Sequence, residues 1–443
     1  MKKYYSWLLG MICLSLLTLP AQTFAREQTT SISLSTPLFE DEIVTPANKK
    51  QPILKTNEFL SNNQHASTDD NNPMIEAESY ILMDYKTGMV LAEKNKDQPR
   101  PPASMTKIMT AYIILDKIQS GEIKWDEEAV ISKRAADIDE AQIFLEENEK
   151  TTIKELFTGL MVQSANDAAV ALAEHVAGSE EKFVALMNEK AKELGLTHTH
   201  FLNSSGLNQA DYPDPPNTQG DHVMSAQDTA DLAKELITTH PEIFKFTTIP
   251  QYTFHKGTTR EQTVKNWNRM LPGLEHQYEG VDGIKTGSTQ LAGYCFTGTA
   301  KQNNTRYMSV VMGTTSKDKR FTETAKLYDY GFQFTTVTFL KAGQAIPKLK
   351  SITIANAKEK RVSVVVQKSI DLPIQKGDKK NYSYHVQIKK NLKAPLKKGA
   401  VIGTVEILYK GKKIEGFQRV PIVTKNAVKE ANFFDRISQK IAG

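Results

Sequence analysis

The sequence is poor in cysteine, in long apolar runs and in blocks of one charge, and each shortage removes a class of protein. Two cysteines among 443 residues are too few for a scaffold built on disulfides. The main apolar run, residues 7–19, is interrupted by Ser15 and Thr18 and stopped by Pro20. It falls short of the ~20 apolar residues that a membrane-spanning helix needs. The formal charge of +5 is spread along the chain, without a long basic block or interleaved aromatic and basic residues. Nucleic acid is therefore not an expected partner. His198, His200 and His222 form no His-Glu-x-x-His pattern, so a zinc peptidase is disfavoured and no metal or cofactor is expected.

What is present begins with a leader. Lys2 and Lys3 precede the apolar run, and Thr23-Phe24-Ala25 has the small residues of a cleavage site. Residues 1–25 are read as a secretory signal peptide. Cys13 lacks the small residue before it that a lipid-modified cysteine requires. Cleavage removes two lysines and no acids, which lowers the net charge from +5 to +3 and leaves Cys295 as the remaining cysteine. Cys295 stands in the apolar-rich Tyr294-Cys-Phe296 and is expected to be a buried strand residue. The protein is expected to be secreted across the cytoplasmic membrane to the extracellular, cell-wall face.

Residues 26–73 are rich in Ser, Thr, Asn, Gln and Asp without a sustained apolar period, and are read as a flexible linker. Residues 80–85 and 89–92 flank Lys86-Thr-Gly88 as a hairpin. From residue 104 to about 240, apolar residues recur at helical spacing, as in Ile108, Met109, Tyr112 and Ile113. Strand patterns return at 294–299 and 307–312, with a helix near 322–330. Strands at both ends with helices between predict one sheet with helices on its faces, an α/β (α+β) unit over 74–340. Short β segments at 352–355, 362–366, 382–388, 401–408 and 417–423 predict a small all-β domain over 341–425. The tail, 426–443, is amphipathic: Ala431, Phe433, Phe434, Ile437 and Ile441 share one side of a helix. A membrane interface and docking on the β domain both suit it, and the sequence leaves that choice open.

Three short motifs carry the chemistry. Ser104-Met-Thr-Lys107 follows Pro-Pro-Ala, Ser164-Ala-Asn166 comes next, and Lys285-Thr286-Gly287 later. Each has a decoy. Ser-x-x-Lys recurs at Ser179 and Ser316, Ser-x-Asn at Ser61, and Lys-Thr-Gly at Lys86. Setting separates them: Ser179 sits where a helix cap belongs, and Lys86 sits in a hairpin turn. A serine hydroxyl needs a base to become a nucleophile. At i and i+3 on a helix, Ser104 and Lys107 share a face, and the helix N-terminus favours an oxyanion. Burial and a second cation, with Lys285 as the candidate, would lower the pKa of Lys107 enough for it to act as base. Ser164 can relay protons, and Asn166 can orient Lys107. Gly287 is expected to let a substrate backbone approach its strand.

Ser-x-x-Lys, Ser-x-Asn and Lys-Thr-Gly in this order are the signature of penicillin-binding proteins and serine β-lactamases. From about residue 76 onward the chain resembles the low-molecular-mass penicillin-binding proteins that are serine-type D-alanyl-D-alanine carboxypeptidases. Pro101-Pro-Ala-Ser104-Met-Thr-Lys107, Met161-Val-Gln-Ser164-Ala-Asn166-Asp, Asn203-Ser-Ser-Gly-Leu207 and Asp282-Gly-Ile-Lys285-Thr-Gly287 carry the likeness. The resemblance implies a penicillin-binding/β-lactamase-like transpeptidase fold with a C-terminal β domain and an amphipathic tail. It implies Ser104 as acyl-ester nucleophile, Lys107 as proton acceptor and Ser164 in proton transfer beside Asn166. Lys285 and Thr286 would bind substrate, and Arg320 would help hold its terminal carboxylate. The backbone N–H groups of Ser104 and Ser288 would form the oxyanion hole. The expected substrate is a peptidoglycan stem peptide ending in D-Ala-D-Ala, and β-lactams are expected to acylate Ser104. Ala165 stands where the family often has Asp or Gly, a change expected to matter little.

Three alternatives stand beside this reading. A β-lactamase of the same fold would carry Glu-x-x-Leu-Asn, but Thr199 occupies the place of that Glu. A non-catalytic envelope-binding protein sits poorly with an intact motif set. A DD-endopeptidase or transpeptidase shares the acyl-enzyme and is not separated by sequence.

Overall fold

In the strands of the catalytic unit, apolar residues occupy both alternating positions, so each strand must be buried on both faces. The computed structural model shows where the two sets go; it describes residues 29–37, 73–414 and 416–441. Five antiparallel strands lie in the order Val90–Lys94, Ser79–Asp84, Thr305–Thr314, Gly293–Gln302, Val281–Thr289. Ile81, Met83, Met308, Val310 and Met312 point to a large helical lobe. Their neighbours Tyr80, Leu82, Tyr307 and Val311 pack instead with Phe321, Leu327 and Tyr328 of the helix Lys319–Gly331. The fold class read from sequence, one sheet between helices with a β domain behind, holds.

The helical lobe is inserted between the second and third strands of the chain's sheet. Its central helix, Lys107–Ser120, is buried continuously from Lys107 to Leu115. A helix packed on all sides needs no polar stripe, so its weak amphipathicity follows from its place. Ser132, Thr152, Ser179 and Ser225 each cap a helix by accepting a backbone N–H. Ser179, one of the decoys, is thus a helix start.

Three organisational readings need correction or completion. Residues 1–25, read as the signal, lie outside the described residues, as do 26–28 and 38–72 of the linker. The rest of the supposed linker, Thr29–Pro37, forms a strand paired antiparallel with Tyr382–Lys389. The alternation Ser31-Ile-Ser-Leu-Ser35 is a strand pattern that the polar composition hides. The β domain also begins earlier than 341, because Phe334–Leu340 pairs with Ile370–Gln375. Pro373 and Asp371 disguised that partner; proline is admissible there because the sheet has two strands and both are edges.

The hairpin decoy has a structural task. Gly88 adopts φ +76°, and Lys86 Nζ lies 2.7 Å from Asp371 Oδ2 in the β domain. Met89 joins the β-domain core. Gly416, at φ +75°, approaches so closely that a Cβ there would lie 1.8 Å from the Gly88 carbonyl oxygen. This turn docks the two domains. Gly416→Ala is expected to cost about 1–3 kcal/mol through overpacking, read as a lower Tm and faster proteolysis between the domains. An unchanged Tm would show that the glycine contact carries no load.

The tail helix, Phe433–Ile441, meets the β domain with its polar edge. Gln439 Nε2 donates to the carbonyls of Ala357 and Lys358 at 3.1 and 2.8 Å, and Asp435 lies 3.7 Å from Lys358 Nζ. Phe433, Phe434 and Ile437 face outward, 71%, 77% and 42% exposed. Docking on the β domain, one of the two placements left open, is present, through the polar edge of the helix. Among the described residues, no helix is long and apolar enough to cross a membrane.

Candidate active site

The site is built where a tight turn meets the buried helix. Pro101 and Pro102 lead into Ala103, which takes φ +49°, and the 3-10 turn Ala103–Thr106 runs directly into Lys107–Ser120. Thr106 Oγ1 donates to the Ala103 carbonyl at 2.8 Å. His222 Nε2 lies 2.8 Å from the same hydroxyl, and Leu202 N–H donates to His222 Nδ1 at 3.3 Å. That pairing leaves the ring proton on Nε2. Burial lowers the His222 pKa to about 3, so the ring is neutral and braces the turn.

Lys107 is the centre of the arrangement. It is fully buried, and its Nζ reaches Ser104 Oγ at 3.0 Å, Asn166 Oδ1 at 2.7 Å and the Ser205 carbonyl at 2.7 Å. As an ammonium it donates to all three. As a neutral amine it keeps two hydrogens on the two carbonyl oxygens and turns its lone pair towards Ser104. Burial lowers its pKa from 10.5 to about 7, against the carboxylates of Asp167, Glu140 and Glu180 that raise it. The lysine is thus poised as a base by desolvation, one of the two causes expected from the sequence. Burial, with the charges of Lys107 and Arg320, also holds the pKa of Lys285 well below the ordinary value.

Lys285 Nζ donates to Ser164 Oγ at 2.7 Å and to its neighbour Thr286's carbonyl at 3.0 Å. Ser164 sits at φ +60° just before the helix Asn166–Ala177, so strained backbone occurs on both serine motifs. Asn166 is fixed from behind. Its N–H donates to the Ala141 carbonyl at 2.6 Å and its Nδ2 to the Asp139 carbonyl at 2.8 Å. Asp167 staples the same loop, accepting from the N–H groups of Ile143 at 3.0 Å and Leu145 at 3.1 Å. Its pKa rises to about 6 through burial, opposed by those backbone donors.

Two glycines permit the assembly. A Cβ on Gly206 would lie 1.9 Å from the Ala103 carbonyl oxygen, so glycine there lets the 203–207 loop close on the nucleophile turn. A Cβ on Gly287 would meet the Pro102 oxygen at 2.8 Å and Met105 at 3.2 Å. Gly287 therefore seats its strand on the turn, a reason different from the substrate approach expected for it.

A cavity of about 260 Å³ opens over Ser104, between Thr286, Gly287 and Ser288 on one wall and Glu140, Ala141, Gln163 and Ser164 on another, with Trp267 also lining it. Of the residues singled out from sequence, Ser104, Ser164, Thr286, Gly287 and Ser288 line the cavity. Lys107, Asn166 and Lys285 lie one layer beneath, joined by the hydrogen bonds above. Arg320 does not line it: 2% exposed, it donates from Nη1 to the Gly287 carbonyl at 3.3 Å, and burial lowers its pKa to about 10. Its Nε is buried without a hydrogen-bond partner among the described residues. Thr199 lies away from the cavity and donates to Asp228 at 2.8 Å. Cys295 is buried in its strand with its pKa raised to about 11 by burial, an unreactive thiol as expected.

Sequence reasoning missed several participants. The Ser205 carbonyl and the Asp139 and Ala141 carbonyls are main-chain groups with no side-chain signature. Glu140 and Trp267 stood in no motif. Asn203-Ser-Ser-Gly stood out only through the family likeness; Asn203 Oδ1 accepts from Gly206 N–H at 2.7 Å, but nothing local tied the segment to Lys107.

A serine hydroxyl 3.0 Å from a buried lysine amine, on a sheet flanked by helices, is the arrangement of a serine acyl-transfer enzyme. Residues 65–316 match the D-alanyl-D-alanine carboxypeptidase family, and residues 334–430 match the C-terminal domain of penicillin-binding protein 5. The chain belongs to the D-alanyl-D-alanine carboxypeptidase family. It is 37% identical over 360 residues to D-alanyl-D-alanine carboxypeptidase DacF of Bacillus subtilis, covering 81% of this chain and 87% of that one. The crystal structure of penicillin-binding protein 5 from Haemophilus influenzae is similar with a TM-score of 0.68 and 34% identity, over 81% of this chain and 99% of that one. Penicillin-binding protein D2 of Listeria monocytogenes, in its ampicillin-bound form, matches with a TM-score of 0.51 and 31% identity, over 58% of this chain and 98% of that one.

Because Lys107 must be neutral to accept a proton, acylation of Ser104 by a fluorescent penicillin is expected to rise with pH, with a midpoint near the lysine's pKa of about 7. Below it the rate should fall about tenfold per pH unit. A profile flat from about pH 5 to about pH 9 would remove Lys107 as the base.

Proposed function

We propose that this D-alanyl-D-alanine carboxypeptidase works through an acyl-enzyme on Ser104 and acts at the outer face of the membrane, held there by its tail. The single observation that carries the chemistry is the buried Lys107 amine 3.0 Å from Ser104 Oγ with its pKa near 7. Ser104 Oγ attacks the carbonyl carbon between the last two D-alanines of a stem peptide as its proton passes to Lys107. The oxyanion sits on the backbone N–H groups of Ser104 and Ser288; one such donor is worth about 10²–10³ in kcat in other enzymes. Ser164, held by Lys285 at 2.7 Å, relays that proton from Lys107 to the leaving D-alanine nitrogen, which leaves Lys107 neutral again. Water then attacks the ester carbonyl carbon as Lys107 takes its proton, and Lys107 returns that proton to Ser104 Oγ as the ester C–O bond breaks, so free Ser104 and the shortened peptide are released. Thr286 and Ser288 offer hydroxyls to the terminal carboxylate, while Arg320 and Lys285 supply positive charge beneath their strand. β-Lactams present a comparable acyl carbon to Ser104.

The exposed Phe433, Phe434 and Ile437 on a helix docked by its polar edge support peripheral attachment to a membrane surface. The leader supports secretion.

With a peptide ending in D-Ala-D-Ala, the enzyme is expected to release D-alanine and Ser104→Ala to release none and take up no fluorescent penicillin. Absence of release by the parent enzyme would remove the carboxypeptidase reading. Deleting residues 427–443 is expected to shift the mature protein from the membrane to the soluble fraction; an unchanged distribution would remove the tail as anchor.

A further inference from the structure

Glu140 is the one carboxylate lining the cavity, and no sequence motif or mechanistic step uses it. Its place is built. The residue takes φ +71°, a left-handed conformation that non-glycine residues seldom adopt. The carbonyls on either side of it, of Asp139 and Ala141, are both held by Asn166 at 2.8 and 2.6 Å. Asn166 also orients Lys107, so the same side chain fixes the base and the carboxylate. No hydrogen bond or ion pair occupies the Glu140 carboxylate among the described residues. Partial burial and the charges of Asp211 and Asp139 raise its pKa, while Lys107 opposes them. Each of these acids makes an added cation more favourable there.

The cavity is therefore polar in sign. Lys285 and Arg320 lie beneath the strand wall, and Glu140 stands on the wall across from it. A stem peptide has a matching pattern: a terminal carboxylate, and upstream a diamino acid whose side-chain amine is free before cross-linking and acylated afterwards. We propose that Glu140 is a specificity-determining residue that selects stem peptides bearing a free ammonium group on the residue preceding D-Ala-D-Ala. The proposal rests on the carboxypeptidase reading and adds the substrate class to it.

The test compares Nα-acetyl-L-Lys-D-Ala-D-Ala with the same peptide acetylated on its side-chain amine. An exposed charge pair supports a modest preference, and kcat/KM is expected to favour the free amine by about two- to fivefold, weakening with salt. In Glu140→Gln that ratio should fall to about one, and Glu140→Lys should reverse it, chiefly through KM. Equal cleavage of both peptides by the parent enzyme would overturn the proposal, as would Glu140→Gln slowing both equally. Failure of the parent enzyme to cleave either peptide would instead overturn the carboxypeptidase reading.

Discussion

A lysine amine without water is the constraint on which the site depends. Taking a cation out of water is costly, and here that cost appears as a pKa near 7 where a solvated lysine would remain charged. The rest of the lobe keeps Lys107 dry and correctly aimed. The helix that carries it is surrounded on all sides, and two carbonyl oxygens fix two of its hydrogens so that its remaining valence faces Ser104. Loosen that enclosure and the amine regains its proton and ceases to be a base.

The enclosure is made mostly of backbone. Ser205 offers a carbonyl because Gly206 lets its loop touch the nucleophile turn, and Asn166 stays in place because the Asp139 and Ala141 carbonyls hold it. Asp167 holds that loop in turn. Gly287 brings the third motif against the first. Motif residues thus act as parts of one packed unit, in which hydrogen bonds and close contacts set positions to a fraction of an ångström.

Much was legible in the sequence, unevenly. Alternation and helical period gave the sheet, the lobe and most of the β domain. The strand containing Pro373 escaped because proline and aspartate break the pattern, and Thr29–Pro37 escaped because its alternation is written in serine and threonine. The decoys were separated by setting, and two of them have structural work of their own: Ser179 caps a helix and Lys86-Thr-Gly88 joins the domains. The tail's apolar side was readable, but which side faces the β domain was not, since that rests on Gln439 reaching carbonyls 82 and 81 residues away.

By itself, the sequence determined which functional groups are available, their order, and the local pairing of Ser104 with Lys107, because a helical turn fixes the relation of positions three apart. Only the tertiary structure decided the rest. Asn166 and the Ser205 carbonyl reach Lys107 across 59 and 98 residues, and Lys285 reaches Ser164 across 121. The base strength of Lys107 and the setting of Glu140 belong to this level too. Desolvation and distance determine both, and neither exists until separate parts of the chain have packed together.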